Sequence, residues 1–291
     1  MKISTASPDR VLVARYPRQP GATRVLCMTN RWIKTLAVSA AATLLAGCAT
    51  DTDTTTTESG AKLVEDGALT VCTHLPYEPF QFNQGGEVVG FDVAMMDLVA
   101  EELGVEQKIF DTPFEGIQSG QALNTGKCDV AAAGMTITDE RARVIDFSDP
   151  YFNATQALLV KKDSGIASLE DLSGKSLAVQ EGTTGALYAE ENAPDDVELR
   201  SFEDLALLQT AVKTGQVDAG INDNGVLYDY VKDNTDLEVA EFDTGEEYGF
   251  AVKKDGNDAL LETINDVIDT SQEDGTYDEI YQEWFGEAPT S

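Results

Sequence analysis

The chain has 291 residues, long enough for two lobes with separate cores, and its 42% hydrophobic and 25% charged content excludes a wholly disordered chain. Acids dominate, with 52 Asp+Glu against 20 Lys+Arg and a net charge of −32, which disfavours nucleic acid and anionic lipid surfaces as partners. Residues 1–47 carry seven bases and one acid, so they hold +6 and residues 48–291 hold −38. The acids are scattered rather than blocked, the pattern of a solvated surface.

In chain order, the first feature is an address. Arg31-Trp32-Ile33-Lys34 is a short basic region, followed by an apolar stretch from Thr35 to Ala46 that is too short to span a bilayer. It ends in Leu45-Ala46-Gly47-Cys48. Small residues before a cysteine resemble the lipobox of bacterial lipoproteins. The resemblance implies a removed leader over 1–47, lipid on Cys48, and residence at the outer face of the cell membrane. Met28 would begin a compact leader of this kind, with Arg31 and Lys34 as its basic part, and is the expected start. Residues 51–60 offer no side chain worth burying, so 48–61 are expected to be the anchor and a flexible tether. Cys72 and Cys128 remain in the folded part, in an exported and oxidising setting.

From Leu69 onward, β-rich runs alternate with amphipathic segments. Strands are expected over 69–73, 105–110 and 129–133, with helices over 93–103, stopped by Gly104, and 114–123. The theme repeats with strands over 157–160, 176–179, 197–202 and 217–221. Its helices are expected at 168–171, 184–191, 203–213 and 226–231. A last strand over 248–252 and helices over 257–274 and 277–285 close the chain. Such alternation predicts an α/β architecture of two lobes with mainly parallel sheets. Ligands of such folds sit beyond the carboxyl ends of the strands, here between the lobes.

A free amino acid needs a guanidinium and helix N-terminal N–H groups for its carboxylate, and a carboxylate with carbonyl or hydroxyl acceptors for its ammonium. Arg141 follows a strand end, Gly182-Thr183-Thr184 opens a helix, and Asp223 follows a strand. Singly, each has a plain alternative: Arg141 a surface charge, the Gly-Thr-Thr turn a helix cap, Asp223 another cap.

Taken together, residues 69–285 resemble the bacterial extracellular solute-binding proteins of family 3, and the glutamine-binding type in particular. The shared pieces are Pro79-Phe80, Gly90-Phe91-Asp92-Val93, Ile137-Thr138-Asp139-Glu140-Arg141 and Asp146-Phe147-Ser148-Asp149. Asp218-Ala219, Gly275-Thr276-Tyr277 and Trp284-Phe285 complete the set. The resemblance implies a two-lobed, type II periplasmic-binding-protein-like fold with a hinge and an interlobe cleft. Lobe 1 would take 62–155 and 247–291, lobe 2 would take 156–246, and crossovers would lie near 153–156 and 246–248.

By the same resemblance, Arg141 grips the ligand carboxylate with the Thr183-Thr184 turn, through the Thr184 N–H. Asp223, the Gly134 carbonyl and the Thr136 hydroxyl hold the ammonium. Tyr77 and Phe114 sandwich the ligand side chain, and Gln180 and Asn222 tune its specificity. The fold also makes the strands of Cys72 and Cys128 neighbours, so the resemblance implies a disulfide between them. Two departures stand out. His74 occupies a position where relatives for basic or amide side chains usually carry Asp, and Ala94 one where the helix usually carries an acid. Without that acid a cationic ligand loses its partner, so glutamine or glutamate is favoured, a protonated His74 suiting glutamate. The expected protein is a monomeric, lipid-anchored binding component of an ABC importer that works by hinge closure, passes an amino acid to a membrane permease and has no part in nucleic-acid binding. It needs no metal or cofactor and has no catalytic residue. The alternatives are an exported dehydratase-like enzyme on the same fold, or a ligand-sensing lipoprotein.

Overall fold

The computed structural model describes residues 55–286. The expected leader (1–47), Met28 and Cys48 lie outside the described residues. Two five-stranded sheets organise the rest. The first runs Glu106–Asp111, Ala68–Thr73, Val130–Ala131, Ala251–Lys253, Ile145–Phe147. The second runs Glu198–Phe202, Ser176–Gln180, Ala219–Asp223, Gln156–Lys161, Leu237–Glu241.

Each sheet pairs two neighbours parallel and two antiparallel, so the sheets are mixed rather than mainly parallel. The cause is connectivity. Phe152–Ala154 and Glu246–Tyr248 pair antiparallel, Tyr248 opposite Phe152, and carry the chain out of the first sheet and back to it. The strand after each crossover, Gln156–Lys161 and Ala251–Lys253, then pairs antiparallel with both its neighbours.

Most helices fall where the periodicity places them. Phe91–Leu103 ends at Gly104, whose φ of 67° lets its N–H and that of Val105 bond back into the last turn. Thr184–Asn192 begins at Thr183, whose hydroxyl accepts from the Ala186 N–H at 3.1 Å. Leu205–Thr214 begins at Asp204, which accepts from Leu207 at 2.8 Å.

Several expectations need correction. The helix expected over 114–123 is two, Phe114–Gln118 and Gln121–Asn124. Gly120 separates them at φ 72°, and a Cβ there would sit 2.9 Å from Ile145 Cγ2. The strand expected over 129–133 pairs only at Val130–Ala131, and that expected over 248–252 divides into Glu246–Tyr248 and Ala251–Lys253. The segment over 168–171 is a short 3-10 turn, Leu169–Leu172, with a Ser168/Asp171 capping box. Within the expected tether, Thr55–Thr56 pairs with Lys62–Leu63, and Ala61 is fully buried.

The core between the crossover strands and the closing helix is aromatic. Phe80 lies edge-on to Phe152 at 4.9 Å and Phe285 at 5.3 Å, and packs Tyr248 at 5.4 Å. Gly90 is required beneath it, because at φ 136° any Cβ would fall 2.2 Å from the Phe80 carbonyl oxygen. Cys72 and Cys128 form a disulfide with Cα atoms 5.7 Å apart.

Candidate functional site

A small cavity opens between the two sheets. It is lined by His74, Tyr77, Gln81, Phe114, Ala133, Gly134, Thr136, Arg141, Gln180, Thr183, Thr184 and Asp223. Ten of the eleven residues expected from the sequence line it. The eleventh, Asn222, sits behind the wall. Its amide donates to Gln180 Oε1 at 3.0 Å and its carbonyl oxygen accepts from the Tyr77 hydroxyl at 3.0 Å.

Arg141 opens the 3-10 turn Arg141–Arg143, its N–H tied to Thr138 Oγ1 at 3.2 Å. The side chain is buried, with its guanidinium 5.3 Å from the Phe114 ring centre. Nη1 donates to the Thr136 carbonyl at 2.7 Å and Nη2 to the Gly182 carbonyl at 2.9 Å, so the residue touches both sides of the cavity. Two such bonds leave three of its five N–H donors. Burial lowers its pKa, while Asp223 and Glu246 push it back up.

Asp223 ends the strand Ala219–Asp223 rather than following it. It accepts from the Tyr77 hydroxyl at 2.7 Å, from the Tyr248 hydroxyl and from the Gln156 amide. Burial raises its carboxyl to about 6, with the Glu246 charge adding to the rise and the three donors opposing it. Gly134 holds φ 53° and donates its N–H to Asp92 Oδ2 at 2.8 Å. A Cβ on Gly134 would lie 2.7 Å from Tyr77 Cε1. Asp92 is fully buried and also accepts from the Tyr151 hydroxyl at 2.7 Å. Burial lifts its carboxyl to about 7 against those two bonds.

Two residues of the cavity lining are buried with unused hydrogen-bonding capacity. His74 Nδ1 lies 3.1 Å from the Thr112 carbonyl, which only accepts, so Nδ1 carries the proton. Its Nε2 is buried without a partner. Gln81 is fully buried, and neither its Oε1 nor its Nε2 has a partner.

Sequence reading missed five residues of this site: Gln81 and Ala133 in its lining, and Gln156, Glu246 and Tyr248 around it. Gln156 donates to Asp223 and, at 2.9 Å, to Glu246 Oε1. Glu246 Oε2 accepts from Thr136 and from Thr184, each at 2.7 Å. A usable signal existed in position. Gln156 and Glu246 flank the expected crossovers, where both bodies of the fold meet the ligand space. Other quoted motif residues are structural. Asp146 pairs with Lys254 at 2.6 Å and accepts from Asp255 N–H at 2.7 Å, and Asp218 accepts from Ser176 N–H at 2.8 Å.

The family model of bacterial extracellular solute-binding proteins, family 3, matches residues 69–287. The chain is 40% identical over 210 residues to the ABC transporter glutamine-binding protein GlnH of Bacillus subtilis (strain 168), covering 70% of this chain and 75% of that protein. An ancestral arginine-binding protein, solved bound to glutamine, is 43% identical with a TM-score of 0.71, covering 77% of this chain and all of that one. An ancestral amino acid-binding protein, described as a precursor of cyclohexadienyl dehydratase, is 41% identical with a TM-score of 0.69, covering 75% and 95%. The fold is thus that of two-lobed amino-acid-binding proteins, and this chain belongs to the bacterial extracellular solute-binding proteins, family 3.

Proposed function

We propose that the protein binds a polar amino acid, with glutamine favoured, in the cavity between its lobes and delivers it to the permease of an ABC importer. The observation that carries this is the pairing of one buried Arg141 with one buried Asp223 across a single small cavity. That is the arrangement a zwitterion needs, since each charge meets its opposite away from water. In this reading the carboxylate takes the free donors of Arg141 and the N–H of Thr184 at its helix start. The ammonium takes Asp223, the Gly134 carbonyl and the Thr136 hydroxyl. Tyr77 and Phe114 pack the aliphatic part.

The side-chain end supports glutamine over a cation. Asp223 is the one carboxylate lining the cavity, and the ammonium uses it. His74 presents an unpartnered ring nitrogen, and Gln81 presents both a donor and an acceptor. A carboxamide, which donates and accepts, satisfies both, whereas a guanidinium only donates. The glutamine-binding relative of Bacillus subtilis agrees with that preference. A calorimetric screen of the twenty amino acids is expected to place glutamine first. Arginine or lysine binding tightest would overturn the side-chain assignment, and no binding at all would overturn the function.

The address on the chain completes the proposal: cleavage before Cys48, lipid on it, a monomer tethered outside the membrane, and lobes of 62–155 with 247–291 and of 156–246. Mass spectrometry of the native protein is expected to find a lipid-bearing Cys48 as the first residue. An intact Met1 or Met28 would refute the anchor. The relative described as a dehydratase precursor supports one alternative, turnover of a cyclic acid. That chemistry needs a positioned acid or base free to transfer a proton. Here the Asp223 carboxylate is held by three donors suited to fixing an ammonium. Product formation from prephenate-type substrates would favour the enzyme.

A further inference from the structure

Glu246 is half-buried on the returning crossover strand, outside the residues that line the cavity. Its Oε2 receives two hydroxyl protons, from Thr136 and Thr184, at 2.7 Å each. Its Oε1 receives the Gln156 amide at 2.9 Å and the Thr244 hydroxyl at 3.1 Å. The two threonines come from different bodies of the fold. Thr136 bridges to Tyr248 on the crossover strand, and Thr184 opens the helix packed on the second sheet. Their hydroxyl oxygens lie 3.4 Å apart. Both protons being spent on Glu246, that approach is a contact of two acceptors.

A hydroxyl has one proton and two lone pairs. With its proton committed to Glu246, Thr136 Oγ1 shows only lone pairs to the cavity that it lines. Thr184 Oγ1 also lies 3.2 Å from Gln156 Nε2, whose two protons it shares with Asp223 and Glu246 Oε1. The same Gln156 amide reaches Asp223, so one side chain links the two carboxylates.

We propose that Glu246 is the positioning residue of the ammonium end of the cavity: by taking the hydroxyl protons of Thr136 and Thr184 at one oxygen, it makes Thr136 an obligate acceptor for an α-ammonium and joins the two bodies at that point. The inference rests on the amino-acid reading above. It assigns to Glu246 the discrimination between a ligand with an α-ammonium and the same ligand without one.

The test measures L-glutamine against glutaramate, its α-deamino analogue, and L-arginine against 5-guanidinopentanoate, by calorimetry. The wild type, Glu246→Gln, Thr136→Val and the double variant are compared. A charge-assisted hydrogen bond to the ammonium is the contact at stake, so Glu246→Gln is expected to weaken the amino acid about tenfold or more while leaving the deamino analogue within about threefold. Thr136→Val is expected to do the same, and the double variant to add little to either, because Glu246 acts through Thr136. Equal weakening of amino acid and analogue would make Glu246 a purely structural hinge residue and overturn the inference. So would additive losses in the double variant. A wild type that binds none of the twenty amino acids overturns the amino-acid reading, and this inference with it; a wild type that binds while Glu246→Gln keeps its full preference overturns the inference alone.

Discussion

At the scale of single residues, the cavity works by opposing two buried charges and letting its neighbours fix their polarity. Arg141 is held by two carbonyls, one on each side, which orient the fork without neutralising it. Arg141→Ala should therefore leave a ligand carboxylate desolvated and unpaired, a loss of about 2–5 kcal/mol or tens to thousands-fold in affinity. Arg141→Lys should recover only part of it, since an ammonium cannot fork. Affinity of Arg141→Ala within about threefold of wild type, measured calorimetrically, would remove Arg141 from the ligand set. Asp223 gives a second outcome. Burial raises its carboxyl to about 6, and a ligand ammonium beside it would pull that value down. Binding then requires the ionised carboxylate and releases a proton where Asp223 is still protonated. The affinity is fully present above about 6 and is lost as pH falls through it, with glutamine bound roughly tenfold more weakly at pH 5 than at pH 7. Affinity flat between pH 5 and 7 in a calorimetric titration would show that Asp223 does not meet the ammonium.

At the scale of elements, what the sequence conveyed depended on length and on caps. Helices such as Phe91–Leu103 and Leu205–Thr214 carry several apolar positions per face and end at Gly104 and Gly215, so their periods and stops are legible. The crossovers are strands of three residues each, Phe152–Ala154 and Glu246–Tyr248, too short to show a period of two. Their partners lie about ninety residues away, as Ala154 does from Glu246, and no local signal reports that. Leu237–Glu241 was overlooked for a related reason: acids interrupt its apolar residues, because it is an edge strand with one solvated side. The cavity residues near strand and helix ends were readable through the family pattern. Glu246 was not, because in Asp243-Thr244-Gly245-Glu246-Glu247 it looks like any solvated acid until Thr136 and Thr184 are brought to it. The disulfide belongs to this scale too. It closes a loop of 56 residues between neighbouring parts of the first sheet. In the chain-entropy model such a closure contributes about 4 kcal/mol through the unfolded state. Replacing Cys72 and Cys128 by Ala together is expected to lower the urea midpoint by that amount divided by the m-value, while glutamine affinity stays within about threefold. An unchanged midpoint would mean that the bridge adds nothing to stability in solution.

At the scale of the whole molecule, the dominant quantity is charge, −38 over residues 48–291. The acids are not placed to relieve their own repulsion. Glu101 and Glu102 sit in the last turn of Phe91–Leu103, and Glu273 and Asp274 in the last turn of Asp258–Asp274. Neither turn contains a base. Negative charge at a helix C-terminus opposes the dipole, typically by about 0.3–1 kcal/mol at low ionic strength. The two helix ends also meet: Glu101, Glu102, Asp266, Asp269, Glu273 and Asp274 line one groove. The ion pairs among the described residues lie elsewhere, at Lys108–Glu65, Arg200–Glu198, Lys232–Asp229 and Lys254–Asp146. Like charges this close repel through water, and the repulsion fades as the screening length shrinks from about 30 Å at 0.01 M salt to about 3 Å at 1 M. The melting temperature should therefore climb with sodium chloride across that range. Neutralising one acid from each helix end, Glu102→Gln with Glu273→Gln, should raise it at the low-salt end by a few degrees, on the scale of about 2–4 °C per kcal/mol for a chain of this size. The gain should vanish at about 1 M salt, where the repulsion it removes is already screened. A gain that persists undiminished at high salt would trace to helix propensity rather than charge, and a loss at low salt would show that these acids hold a favourable interaction, such as a bound cation, in that groove.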